Sequence, residues 1–206
     1  MLSKDRLRTR ILYGCALVLF TVGSGWFMPE LSVANEVPNI ISRGRGPAEV
    51  LIFTDYFCPP CQGVEPYLEK ALADLYRSGV KVTFVDKPIH AKTPLFSRYF
   101  LYAANSADSF AEVLHIRSVL FDIAKSKSVE TEGELIGKLK ANGIKLGLFD
   151  VRPVFGTWLE LIQRFEVKST PTCIVMRPGQ AHSTLTGSGA IPEGIDRLLK
   201  ELNGGS

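Results

Sequence analysis

Two cysteines, Cys58 and Cys61, are separated only by two prolines. Thiols at this spacing can close a short disulfide and exchange it with the thiols of another protein, or they can supply half of a zinc site. Beyond the N-terminal segment the other soft ligands are Cys173 and three histidines, and none of them forms a second pair. A disulfide across two residues constrains the unfolded chain little, which disfavours a purely structural bond. The spacing therefore predicts a redox-active dithiol with no metal and no cofactor.

The elements around this pair favour the same chemistry. Val50–Phe53 is a β-branched and aromatic run typical of a buried strand. An amphipathic helix is predicted after the cysteines, ending at about Arg77. Cys58 is then placed where the helix begins, and the free N–H groups and the helix dipole there stabilise a thiolate. The thiolate is the attacking species, and Cys61, one turn further on, can attack Cys58 in turn.

The remaining pattern predicts an α/β fold, a central mixed sheet flanked by helices. A strand at Val80–Val85 completes a strand–helix–strand unit, whose strands should be parallel. Residues 94–167 are predicted to form an inserted helical subdomain of four amphipathic segments. The later predicted elements are a strand at Cys173–Met176, a hairpin strand at His182–Thr186 and a final helix from Pro192 to Leu202.

The N-terminus has the features of an export signal. Four basic residues within the first ten precede an uncharged run of 18 residues, Ile11–Met28. Ser32 and Ala34 then have the small side chains and the spacing that a signal peptidase prefers. We predict cleavage after Ala34, so that residues 35–206 form the exported domain, in a compartment where disulfides persist. The alternative is an uncleaved membrane anchor, because the run approaches the length of a membrane span.

A second motif, Thr170-Pro171, lies immediately before the strand at Cys173. A Thr-Pro bond at this place is a candidate cis peptide, because proline lowers the cost of that isomer. The backbone of Thr170 would then be free to pair with an extended substrate chain. A trans proline at the start of a strand is the alternative, and the residues alone leave both open.

The stretch Phe53–Cys61 (FTDYFCPPC), followed much later by Thr170-Pro171-Thr172, resembles the DsbA-like branch of the thioredoxin superfamily. The helical insertion is similar too, and the resemblance covers about Pro47 to Leu202. It implies a thioredoxin-like fold, a nucleophilic Cys58, a resolving Cys61 and a cis Pro171 beside them. It also implies periplasmic location, protein substrates with thiols or disulfides, and a membrane partner that recycles the dithiol.

The sequence departs from that family at two positions. Many of these proteins bury a carboxylate six residues before the first cysteine, where this chain has Ile52. Asp55 and Glu65 are the candidates to shuttle the proton of Cys61 instead, although Asp55 also suits a turn or cap. Strongly oxidising members carry histidine before the second cysteine, where this chain has Pro60.

We therefore expect an exported, monomeric thiol–disulfide oxidoreductase that oxidises protein thiols. The alternatives are a reductase or isomerase, and a redox-inert chaperone that holds extended chains near Pro171. The 24 basic and 21 acidic residues are nearly balanced, which argues against a nucleic-acid surface. Cys173 is expected to be a packed, inert thiol, with a third redox thiol as the alternative.

Overall fold

The computed structural model describes residues 39–204, which contain a five-stranded sheet in the order β1-β3-β2-β4-β5. The predicted signal or anchor and the cleavage after Ala34 lie outside these residues. Within the described range, no helix has the length and apolar character needed to cross a bilayer. The strands are β1 (Ser42–Arg43), β2 (Glu49–Thr54), β3 (Lys81–Asp86), β4 (Thr172–Met176) and β5 (Ser183–Thr186). The helices are α1 (Pro59–Arg77), α2 (Thr93–Asn105), α3 (Phe110–Ser126), α4 (Glu132–Ala141), α5 (Arg152–Arg164) and α6 (Gly187–Gly204).

The predicted strand–helix–strand unit is confirmed. β2 and β3 are parallel, with Ile52 opposite Phe84, and α1 connects them. On its other side β2 pairs antiparallel with β4, placing Ile52 opposite Cys173. β2 is thus a central strand, and from Val50 onward all its residues are buried. Because β2 is buried, the position of its last residue, Thr54, is fixed, and the segment with the two cysteines begins just after it.

Four helices lie between β3 and β4, as the helical pattern predicted. Two of these helices, α3 and α4, begin at N-cap residues of the type that marks helix starts in sequence. The Ser109 side chain accepts a hydrogen bond from the Glu112 amide, and Thr131 and Glu134 form a capping box at the start of α4. α5 is fixed to the sheet by its Trp158 indole, which donates to the Phe84 carbonyl at 2.9 Å.

Two elements differ from the prediction. α6 begins at Gly187 and contains Pro192, whereas we expected Pro192 to mark its start. Proline favours the first turn of helices, and the glycine-rich segment before it has low helix propensity, so the sequence pattern indicated a later start. The second difference is β1, a two-residue strand that pairs antiparallel with β3 and that the sequence pattern did not predict.

A buried ion pair joins the helical insertion to the helix that carries the cysteines. Arg117 on α3 donates from Nε to Glu65 Oε1 at 2.9 Å and from Nη2 to Oε2 at 2.7 Å. Both side chains are buried, and the guanidinium also lies 4.6 Å from the centroid of the Phe84 ring. Removing one partner of such a pair leaves an uncompensated buried charge, which is the costly outcome.

We therefore expect Arg117→Met to lower the free energy of unfolding by about 3–5 kcal/mol, because Glu65 stays buried without its partner. The double variant Arg117→Met/Glu65→Leu should recover most of this loss. Urea unfolding followed by circular dichroism measures both. Equal destabilisation of the single and double variants would show that the ion pair itself is not the source of the loss.

Candidate active site

Cys58 occupies the N-cap position of α1. Its backbone is extended (φ −77°, ψ 116°), and Pro59 and Pro60 fill the first helical positions. The Cys58 amide donates to the Asp55 carbonyl at 3.1 Å, which closes the turn that leads out of β2. The side chain makes no capping hydrogen bond to the helix. The Cys58 sulfur therefore lies at the helix end where negative charge is favoured.

Thr170 and Pro171, far away in sequence, lie beside Cys58. The Thr170–Pro171 peptide bond is cis, and the Cys58 thiol donates to the Thr170 carbonyl oxygen with an Sγ–O distance of 3.4 Å. The pairing of β4 with β2 brings them together, since Thr172 lies opposite Phe53. The structure thus joins the two motifs that the sequence singled out.

Cys61 differs sharply from Cys58. It is completely buried, whereas Cys58 keeps 7% of its surface exposed. Burial raises the pKa of Cys61 to about 12, although the Thr170 side chain and the Asp55 backbone favour its thiolate. Cys61 is therefore a protonated thiol at neutral pH in the reduced protein.

Asp55 is buried and organises the loop between β3 and α2. Its Oδ1 accepts from the Phe57 amide at 2.8 Å, which is the turn role that the sequence allowed for it. Its Oδ2 accepts from the amides of Ile89 at 2.7 Å and His90 at 3.0 Å, and His90 Nδ1 lies 3.0 Å from Oδ1. The carboxylate thus fastens a histidine loop to the turn before Cys58, a contact that the sequence did not indicate.

Glu65, the other carboxylate singled out in the sequence, lies on the buried face of α1 in its bidentate pair with Arg117. The Arg117 guanidinium also reaches the Thr54 hydroxyl at 3.4 Å, at the end of β2. Sequence reasoning missed Arg117. The available signal was a single basic residue within the apolar run of α3.

Asp86 is a further buried carboxylate that the sequence did not single out. It ends β3 directly beside Thr54 and is 1% exposed. Neither carboxylate oxygen has a hydrogen-bond partner within 3.5 Å. Burial raises the pKa of Asp86 to about 6, against the opposing effects of Arg117 and of the nearby Ser97 and Tyr56 hydroxyls.

Cys173 is completely buried in β4, and burial raises its pKa to about 12. Between residues 39 and 204, the cysteines Cys58, Cys61 and Cys173 are all free thiols. The same range contains no group of three or more His, Cys, Asp or Glu side chains arranged to hold a metal ion. A buried thiol that favours its neutral form is a poor nucleophile, which fits the packed role expected for Cys173.

An open groove of about 560 Å³ lies next to the Thr170–Pro171 turn. Ser169 and Thr172, which flank the turn, contribute to it, as do Thr184 and Thr186 of the exposed strand β5. In the described sheet β5 is the last strand, so one of its edges has no strand partner. An edge of this kind can accept an extended chain.

No protein-family model matches the sequence, and no curated protein matches it as a relative. Solved structures do match. A periplasmic thioredoxin-like protein from Salmonella enterica serovar Typhimurium is 21% identical with a TM-score of 0.59, covering 78% of this chain and 88% of that one. The catalytic domain of Proteus mirabilis ScsC is 21% identical with a TM-score of 0.59, covering 78% and 87%. Pseudomonas aeruginosa DsbA2 is 13% identical with a TM-score of 0.54, covering 77% and 93%. At these identities the likeness establishes the fold alone, and the predicted thioredoxin-like fold with an inserted helical subdomain is confirmed.

The burial of Cys61 predicts a difference in labelling between the two thiols. In reduced Cys61→Ser protein, we expect iodoacetamide to label Cys58 in the folded state, because this sulfur lies at the start of α1 and is partly exposed. In the matched variant Cys58→Ser, we expect Cys61 to stay unlabelled until the protein is unfolded. Peptide mass spectrometry reads both sites. Rapid native labelling of Cys61 near neutral pH would contradict the arrangement described.

The raised pKa of Asp86 predicts a stability effect with a defined sign. Because the folded state binds this proton more tightly than the unfolded state, stability falls as the pH rises from about 3.8 towards 6 and stays lowered above it. Asp86→Asn should therefore be more stable than the wild type at about pH 8, by about 1–3 kcal/mol. The gain should shrink near pH 4. Urea unfolding at both pH values tests this, and a loss of stability of equal size at both would refute it.

Proposed function

We propose that the chain is an exported thiol–disulfide oxidoreductase that oxidises protein thiols through Cys58 and Cys61. The observation that carries the proposal is the asymmetric pair. One sulfur lies at a helix start beside Thr170, and the other is buried one turn further along. This is the geometry that a nucleophilic and a resolving thiol require. The likeness to DsbA2 and ScsC supports the assignment at the level of fold.

The reaction begins from the Cys58–Cys61 disulfide. A thiolate of the substrate attacks the sulfur of Cys58, and Cys61 leaves as a thiolate and takes up a proton. A second substrate thiolate then attacks the substrate sulfur of this mixed disulfide, and Cys58 leaves as a thiolate. The substrate is oxidised to a disulfide, the protein pair is reduced to two thiols, and two electrons have moved from substrate to protein.

The favoured direction follows from the stability of the reduced form. A thiolate stabilised at the start of α1 is a good leaving group and makes the reduced pair more stable, which raises the oxidising power of the disulfide. Strongly oxidising members of the family that this sequence resembles carry histidine at the position of Pro60. Because this chain has proline there, we expect its disulfide to be a moderate oxidant. A reductase runs the same exchange in the opposite direction, and an isomerase uses the reduced pair to rearrange substrate disulfides with no net transfer of electrons. A glutathione redox titration separates an oxidant from proteins that work in the reduced form.

Cys61 must lose a proton when the disulfide forms again, and its pKa of about 12 makes a proton acceptor useful. We propose Asp55 as this shuttle, because its backbone neighbours Cys61 and its carboxylate contacts the partly exposed His90. Glu65 is the second candidate. Its carboxylate is buried in a bidentate pair with Arg117, whereas Asp55 reaches the partly exposed His90.

We propose that Thr170 and Pro171 bind the backbone of an extended substrate next to Cys58. The adjacent groove and the free edge of β5 give such a chain room to continue. Protein substrates with thiols or disulfides fit this surface. Export to the periplasm, a membrane partner that reoxidises the pair, and action as a monomer belong to the same proposal.

The proposal predicts that Cys58→Ala abolishes oxidation of reduced substrate peptides and reduction of insulin, because no mixed disulfide can form. Cys173→Ala is the matched control and should keep the wild-type rate, since its thiol is buried away from exchange. Turnover assays with purified protein measure both. Absence of turnover in the wild type, together with binding of extended peptides, would favour the redox-inert chaperone instead, and unchanged turnover in Cys58→Ala would contradict the role of Cys58.

A further inference from the structure

The open groove next to the Thr170–Pro171 turn is joined to that turn at two places. Lys168 and Ser169 precede the turn in sequence and line the groove. The amide of Gly187, which follows β5, donates to the Pro171 carbonyl at 2.9 Å and so holds β5 against the turn. A chain that binds in an extended form at Thr170 can therefore continue into the groove and contact its lining residues.

Exposed charged side chains line this groove. Arg164 and Lys168 are permanent cations, and Glu166 is the acidic lining residue. The guanidinium carbon of Arg164 lies 5.2 Å from the centroid of the Phe165 ring, and the centroid of the His182 ring lies 5.3 Å from it. Two basic groups thus lie next to one aromatic ring. Lys168 forms no ion pair with any residue that the structure describes, so its charge is available to a ligand.

Exposed hydroxyl groups also line the groove. Thr184 and Thr186 are two residues apart on β5 and therefore project from the same face of the sheet. Ser169 adds a further exposed hydroxyl. A hydroxyl can donate to a carboxylate, and the hydrogen bonds that cations donate to a carboxylate are stronger still. The groove therefore suits an anionic side chain and offers little apolar surface, since its lining residues Phe165 and Val167 are buried.

We propose that this groove selects substrates by charge, and that the preferred substrate carries an aspartate or glutamate within a few residues of its cysteine. The substrate carboxylate lies near Lys168, Arg164 and His182. Exposed ion pairs are individually weak, so the preference is the combined effect of these basic groups. The inference rests on the proposed oxidoreductase function and names the class of substrate that its site prefers.

The charge balance disfavours basic and apolar segments. A basic segment meets two permanent cations, Arg164 and Lys168, against one carboxylate, Glu166, so repulsion exceeds attraction. An apolar segment covers exposed charges and hydroxyls without replacing their hydrogen bonds to water. Glu166 also repels an acidic segment, which limits the size of the preference and identifies a variant that should strengthen it.

The test compares short fluorescein-labelled peptides that have serine at the centre, in place of cysteine, and glutamate, glutamine or lysine on either side. Fluorescence anisotropy with the purified protein gives the affinities. The glutamate peptide should bind about threefold more tightly than the glutamine peptide at low salt, and the lysine peptide should bind most weakly. High salt should reduce these differences, because ions screen exposed charges. Equal affinities for the three peptides, or tightest binding of the lysine peptide, would overturn the proposal.

Two variants at exposed positions locate the effect, and they should act in opposite directions. Lys168→Glu should reverse the order, so that the lysine peptide binds most tightly, whereas Glu166→Gln should strengthen binding of the glutamate peptide by about twofold. The matched control Lys140→Glu makes the same change of charge at an exposed position on α4 and should keep the wild-type order. A preference for glutamate that survives in Lys168→Glu would refute the site.

The peptides contain no thiol, so their binding does not depend on exchange at Cys58 and Cys61. The same order of affinities is expected in Cys58→Ala. If the wild type failed to turn over cysteine peptides, the proposed oxidoreductase function would be contradicted while the charge preference of the groove stood. If it turned them over but bound the three serine peptides equally, the function would stand and the charge preference would be refuted.

Discussion

The chemistry depends on where the first turn of α1 begins. A short turn closed by the Asp55 carbonyl delivers Cys58 to the helix start, and the next turn of the helix carries Cys61 into the core. Helix dipole and burial then act on the two sulfurs in opposite directions, favouring charge on one and suppressing it on the other. Two chemically identical residues thus lie in different environments although they are a single helical turn apart.

Two later parts of the chain hold this turn in place. The pairing of β4 with β2 places the Thr170 carbonyl within hydrogen-bond distance of the Cys58 sulfur. Arg117 on α3 forms a buried ion pair with Glu65 on α1. The helical insertion is thereby linked to the dithiol helix by a buried charge pair as well as by apolar contact. Such a pair contributes little net stability compared with apolar packing, but it penalises any arrangement that separates its partners.

The sequence predicted the parts that depend on local pattern. Strand and helix periodicity placed β2, α1, β3 and the four inserted helices, and the cysteine spacing singled out the pair that we propose to be reactive. Contacts made by folding were not visible. Nothing local indicates that Arg117 meets Glu65, that Asp55 fastens His90, or that Asp86 is buried without a hydrogen-bond partner. These contacts join residues far apart in the chain, and a single sequence does not encode such pairings in its periodicity. The start of α6 at Gly187 was missed for a different reason. The glycine-rich residues before Pro192 have low helix propensity, so the local sequence predicts that the helix begins at Pro192.

The most direct test of this account is the ultraviolet absorbance of thiolate in the reduced protein as a function of pH. If the start of α1 stabilises the Cys58 thiolate, one thiolate equivalent should appear below neutral pH and should be absent from Cys58→Ser. Cys61→Ser should retain it. Thiolate absorbance that appears only in the alkaline range of an ordinary thiol, or that persists in Cys58→Ser, would contradict the central claim.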